Sequence, residues 1–140
     1  MLIDKNLLFV DTLTTTTSGA ATDYIDSTTV SIKNNDANKQ PVWVVKTEGT
    51  AFAGGAACTA TFQLQTSEAS DFSGATTVTL AQSAAFLTAA LTANTVMVKM
   101  RVPYGVKRYL RSYMVVGGTG VFSASSYSSF LVMDVPNALP

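Results

Sequence analysis

The chain has no histidine and a single cysteine, Cys58. Without histidine, Ser-His and Cys-His nucleophilic pairs and imidazole-based metal sites are excluded. A lone cysteine excludes an intrachain disulfide. Its neighbours alternate apolar and polar, which assigns Cys58 to the inner face of a strand as a buried, inert thiol rather than a nucleophile. Charge is scarce too: 13% of the 140 residues are charged, and nine basic residues cancel nine acidic ones. Zero net charge argues against a dedicated nucleic-acid binder. No apolar run approaches the ~20 residues of a membrane span. The apolar run Leu7–Val10 is too short for a secretory signal, so the expectation is a protein kept in the cytosol, or assembled from there into a particle.

Other chemistry is missing as well. Gly117-Gly118-Thr119-Gly120 lacks the Lys and the strand–helix context of a phosphate loop. Glu48, Glu68 and Asp71 are the only acids in the middle of the chain. All three fall in loops, and nothing in their spacing suggests the facing pair of a glycosidase. The Asn- and Asp-rich stretch 34–40 lacks the Gly and distal Glu of a calcium loop and reads as turn chemistry. The expectation is a protein that is not an enzyme and holds no cofactor or metal.

What is abundant is Thr, Ser, Ala and Val. Glu, Lys, Leu and Arg are too few for a helical bundle, whereas Thr and Val favour half-buried pleated surface, so the composition points to an all-β domain. The clearest alternation is Cys58–Thr66: Cys58, Ala60, Phe62 and Leu64 inward, Thr59, Thr61, Gln63 and Gln65 outward. Its outer face is uncharged and lined with hydroxyls and amides, which suits a contact surface as well as solvent. Pro41–Lys46 predicts a short apolar strand with Trp43 in the core. Thr76–Gln82 predicts another, with Val78 and Leu80 inward, and Phe130–Val135 a last one. Ser83–Thr92 reads either as a helical turn or as a loop burying Phe86 and Leu87. Gly117–Ser129 reads as a flexible loop of about a dozen residues. Seven or eight strands at this spacing fit a sandwich or barrel.

The stretch Thr95–Val116 holds Lys99, Arg101, Lys107, Arg108 and Arg111, five of the nine basic residues, with no acid among them. It reads as a strand, a turn at Pro103 and Gly105, and a second strand. The expectation is a hairpin presenting one strongly basic face. From Phe72 to Met133 there are five basic residues and no acidic ones, and the remainder holds four basic and nine acidic residues. A basic and an acidic sector suit contacts between copies or with a shell. The mixture of Tyr104, Lys107, Arg108, Tyr109, Arg111 and Tyr113 resembles a nucleic-acid platform, but the neutral total favours a protein–protein contact.

Residues 1–20 read as an N-terminal arm, followed by one domain over 21–140. Leu2, Ile3, Leu7, Leu8 and Phe9 place more apolar surface at a terminus than a frayed end carries. That surface needs a partner, either the chain's own sheet or another subunit.

Three segments carry a family resemblance: the opening M-L-I-D-K-N-L-L-F-V-D, the central G-V-K-R-Y-L-R (Gly105–Arg111) and the closing F-L-V-M-D-V (Phe130–Val135). In this order and spacing they resemble the Bbp16-type capsid cement proteins of tailed bacteriophages. The resemblance implies a jelly-roll-like antiparallel β-sandwich of about eight strands. It implies a homo-oligomer, dimer or trimer, on the outer surface of an HK97-type shell. There it braces neighbouring major capsid protein subunits, with no catalysis, nucleic acid or membrane involved. The contact residues come from the reading of the sequence: Leu2, Ile3, Leu7, Leu8 and Phe9 as arm anchors, and Lys107, Arg108 and Arg111 as partners of shell carboxylates. The competing reading is a carbohydrate-binding sandwich of a tail or fibre, using Tyr104, Phe122, Tyr127 and an exposed Trp43.

Overall fold

A computed structural model describes residues 7–28 and 41–133. They form eleven strands: β1 (Leu8–Leu13), β2 (Gly19–Asp26), β3 (Pro41–Thr47), β4 (Ala53–Gly54), β5 (Cys58–Ser67), β6 (Val78–Gln82), β7 (Phe86–Leu87), β8 (Val96–Arg101), β9 (Tyr109–Gly118), β10 (Phe122–Ala124) and β11 (Tyr127–Met133). A four-stranded sheet runs β1-β11-β3-β8, and a five-stranded sheet runs β2-β9-β5-β6 with β7 also on β5. All pairings are antiparallel. Counting only the eight longer strands in chain order, the sheets read 1-8-3-6 and 2-7-4-5. That is the two-Greek-key order of a jelly roll.

The inner faces follow the period of two. On β5, Cys58, Ala60, Phe62 and Leu64 are each fully buried while the residues between them are half-exposed. They meet Trp43, Val45, Tyr127 and Leu131 from the facing sheet in one core. The Trp43 indole N–H donates to Ser129 Oγ at 3.0 Å, which satisfies its only polar atom. Strands β3 and β11 are buried along nearly their whole length. Val42, Val44 and Phe130 form a second, smaller buried cluster, with Leu8 and Val132 against it.

The apolar terminus finds its partner in the chain's own sheet over the described residues. Leu7, Phe9 and Val10 lie in the main core, and β1 pairs with β11 as an edge strand. Leu2 and Ile3 lie outside the described residues, as do residues 34–40.

The expected hairpin at Thr95–Val116 is a correction. β8 pairs with β3 in one sheet and β9 with β5 in the other. The residues between them cross the sandwich: the Val102 N–H donates to Pro41 O at 2.9 Å, and the Lys107 N–H to Thr66 Oγ1 at 2.8 Å. Pro103 and Gly105 break the strand as expected, but they release it to the opposite sheet. The five cations therefore do not form one face. Alternation on β8 also slips, since a bulge at Val45/Lys46 leaves Val96 53% exposed while Val98 is buried.

Three further expectations change. Val78 is 45% exposed rather than inward, because a register shift interrupts the β5–β6 ladder between Leu64 and Gln65. Ser83–Thr92 is neither a helical turn alone nor a burying loop. β7 pairs with β5, a short 3-10 turn follows at Thr88–Ala90, and Leu87 is exposed although Phe86 packs on the core. Gly117–Ser129 is not a flexible loop. β9 continues to Gly118, and β10 pairs with β4. Ser125, Ser126, Ser128 and Ser129 are buried, and two of them hold the N-terminal segment: Ser125 Oγ accepts from the Thr15 N–H, and Ser128 Oγ from the Thr12 N–H. The turn needs glycine at Gly118, where φ is +76° and a Cβ would sit 2.0 Å from Ala57 O.

Candidate interaction face

The residues with the most developed side-chain chemistry lie on the outer face of the five-stranded sheet. On β9, Leu110, Ser112 and Met114 point into the core, so Tyr109, Arg111 and Tyr113 face outward. Register sets Tyr24 of β2 beside Arg111, and Arg111 beside Gln65 of β5. One pair along, Tyr113 stands beside Gln63, and Gln63 beside Gln82 of β6.

These side chains form a continuous array. Arg111 Nε donates to Gln65 Oε1 at 2.8 Å, Gln65 Nε2 to Gln63 Oε1 at 2.9 Å, and Gln63 Nε2 to Gln82 Oε1 at 2.7 Å. The Arg111 guanidinium lies 4.3 Å from the Phe72 ring centre and 5.1 Å from that of Tyr113, within cation–π range. Phe72 reaches the face from the β5–β6 loop, in a left-handed conformation with φ 53°. The Phe72 N–H donates to Ala69 O, and the Thr77 hydroxyl to Phe72 O. Tyr24 packs edge-on against Tyr109 at 5.3 Å and also meets Phe72. Tyr24 remains half exposed.

Arg111 is the unusual group. It has no carboxylate partner among the described residues, its fixed hydrogen bond goes to a neutral amide, and partial burial lowers its pKa from the ordinary arginine value. A cation held in one rotamer by aromatic rings, and not neutralised, is prepared for an anion arriving from outside. Aromatics and arginine are also the residues enriched where protein interfaces concentrate their energy.

The other two predicted cations are engaged differently. Arg108 pairs with Asp26 at 3.4 Å and lies 5.0 Å from the Tyr109 ring centre, with half its side chain exposed. Asp26 accepts from the Thr28 N–H and hydroxyl, which together with Arg108 hold its carboxyl below the usual carboxylate range. Lys107 Nζ donates to Thr76 O at 2.7 Å. Lys107 and Arg108 thus flank the face, with Arg111 at its centre. Lys99 is on β8, in the other sheet.

Leu7 and Phe9 are buried in the chain's own main core, and Leu8 is half-buried against the smaller cluster. Of the aromatics considered for sugar stacking, Trp43, Phe122 and Tyr127 are buried and only Tyr104 is exposed. An open cleft lined by Thr14–Thr17, Thr50 and Ser123–Ser125 offers hydroxyls but neither ring nor charge. Among the described residues no helix is long and apolar enough to cross a membrane, and no group of His, Cys, Asp or Glu could hold a metal ion.

Tyr24, Phe72 and Gln82 are members of the face that the sequence did not single out. Gln63 and Gln65 were visible as an uncharged outer row, and Tyr109, Arg111 and Tyr113 as a cationic–aromatic mixture. Only the strand order joins the two sets.

The comparison with curated proteins finds no match. The model of the Bbp16 family matches residues 9–131, from the first strand of the sandwich into the last, and the chain belongs to the Bbp16 family.

Proposed function

We propose that this chain is a structural protein of a phage particle. It binds the outer surface of an HK97-type capsid as a homo-oligomer and braces neighbouring major capsid protein subunits. Membership of the Bbp16 family supports the phage setting. The observation that carries the contact itself is Arg111, a preorganised guanidinium without a carboxylate among the described residues, framed by Phe72, Tyr113 and an amide row. In this reading the shell contributes the missing carboxylate to Arg111. Arg108 and Lys107 add attraction at the rim, and the tyrosines supply apolar contact. Each contact is modest, and the lattice multiplies it.

Co-sedimentation of the purified chain with isolated capsid shells tests this. The wild-type chain should bind, and binding should weaken as salt rises, because the contact is part-electrostatic. Arg111→Ala should weaken it by about tenfold or more, equivalent to about 1.4 kcal/mol, with the fold intact by circular dichroism. Absence of binding, or an Arg111→Ala variant that binds like wild type, would sink the proposal.

A further inference from the structure

The four edge strands of the sandwich are not treated alike. β1 carries Asp11, β2 carries Asp23 and Asp26, and β8 carries Lys99 and Arg101. Charges on an edge discourage pairing with another chain. β6, V-T-L-A-Q, has none. The flanking Thr76, Thr77 and Ser83 are uncharged as well, and no proline interrupts the run. Among the described residues β6 pairs only with β5, so its other edge has no strand beside it. Val78 and Thr79 are exposed, and Leu80 and Ala81 are only partly covered although both pack on the core. The edge is also well braced from behind. Ser83 closes the ladder with its N–H on Phe62 O at 2.9 Å, while its hydroxyl accepts from the Phe62 N–H at 3.0 Å.

We infer that β6 is a self-association edge, where a second copy of this chain adds its own β6 antiparallel and joins the two five-stranded sheets. A two-fold centred on Leu80 sets Val78 against Gln82 of the other copy and Thr79 against Ala81. No like charges meet, so the strand is electrostatically compatible with itself, which none of the other three edges is in every register. The pairing covers Val78 and completes the backbone hydrogen bonding of the edge. It closes at two copies and does not propagate. It rests on the homo-oligomer of the proposed function and gives it an interface, and it is tested without the shell because it involves the chain alone.

Sedimentation equilibrium of the full chain across a concentration series tests it. The wild type should be a dimer that dissociates on dilution. Thr79→Lys sets two lysines at diagonal positions of the pair, with backbones roughly 7–8 Å apart, and should raise the dissociation constant about tenfold or more. Thr79→Val, uncharged and β-branched, should remain dimeric. Hydrogen exchange on the wild type gives a readout that needs no variant: amides within 78–82 should exchange more slowly as protein concentration rises. A wild type that stays monomeric, a Thr79→Lys variant that dimerises as well as wild type, or exchange in β6 that ignores concentration would overturn the inference. A monomer that binds shells would remove this inference and the homo-oligomer of the proposed function while leaving shell binding; a dimer insensitive to Thr79→Lys would remove the β6 edge alone.

Discussion

Tyr127 sits in the core with a hydroxyl that has no partner among the described residues. The residue is fully buried and its ring packs against Phe62 at 5.3 Å and Phe52 at 6.5 Å, but among the described residues its oxygen makes no hydrogen bond. Burying a hydroxyl without a partner costs about 1–3 kcal/mol in proteins. Tyr127→Phe keeps every ring contact and removes only that atom. The space left is one oxygen wide, so its packing loss should stay below about 1 kcal/mol. The net expectation is a gain of roughly 1–2 kcal/mol at neutral pH, a rise of about 3–7 °C in Tm for a chain of this size. Alkaline pH gives a second, independent signature. Burial raises the Tyr127 pKa above its usual value of 10.0. As pH rises past about 10, the unfolded chain loses this proton while the folded one retains it. Stability therefore falls with pH there, by up to 1.36 kcal/mol per unit for this group. Tyr127→Phe should lack that part of the fall, so the gap between variant and wild type should widen above pH 10. Urea unfolding at pH 7 and at a series of higher values measures both. A variant less stable than wild type by 1 kcal/mol or more, with no widening of the gap, would refute the reasoning.

Two further predictions concern the fold. Gly118→Ala should lower the urea midpoint sharply, since a left-handed backbone and the Ala57 carbonyl oppose any side chain. Gly19→Ala, where nothing lies within 4 Å of the added Cβ, should change it little. Ser129→Ala removes the acceptor of the buried Trp43 N–H and should cost about 1–3 kcal/mol in chemical unfolding. An unchanged midpoint would mean that the indole has another acceptor.

The parts of this structure legible in the sequence are those governed by alternation. β5 buries the four residues its pattern assigns inward, and Trp43 is core because an apolar strand surrounds it. The sandwich class followed from composition and turn spacing. What alternation cannot say is which sheet a strand joins. β8 and β9 look like two limbs of a hairpin, yet a jelly roll sends them to opposite sheets. The cations of Thr95–Val116 part company for that reason. Phe72 and Tyr24 meet Arg111 only after a loop folds over and a distant strand pairs with β9. Neither is a local event. The serines of Gly117–Ser129 were misleading for a chemical reason, because the buried hydroxyls of Ser125, Ser128 and Ser129 each have a partner far away in sequence. Of the proposed face, the uncharged glutamine row and Arg111 were visible beforehand; their junction was not.

The central claim is that the chain is a capsid-bracing component of a phage head. Image reconstruction of purified particles carrying this chain, with mass spectrometry of their components, tests it most directly. The account predicts a 14.7-kDa chain near stoichiometric with the major capsid protein, seen as external density across joints between capsomers. The outer face of the β2-β9-β5-β6 sheet should be turned toward the shell. A head without this chain, or a chain confined to the tail, would contradict it.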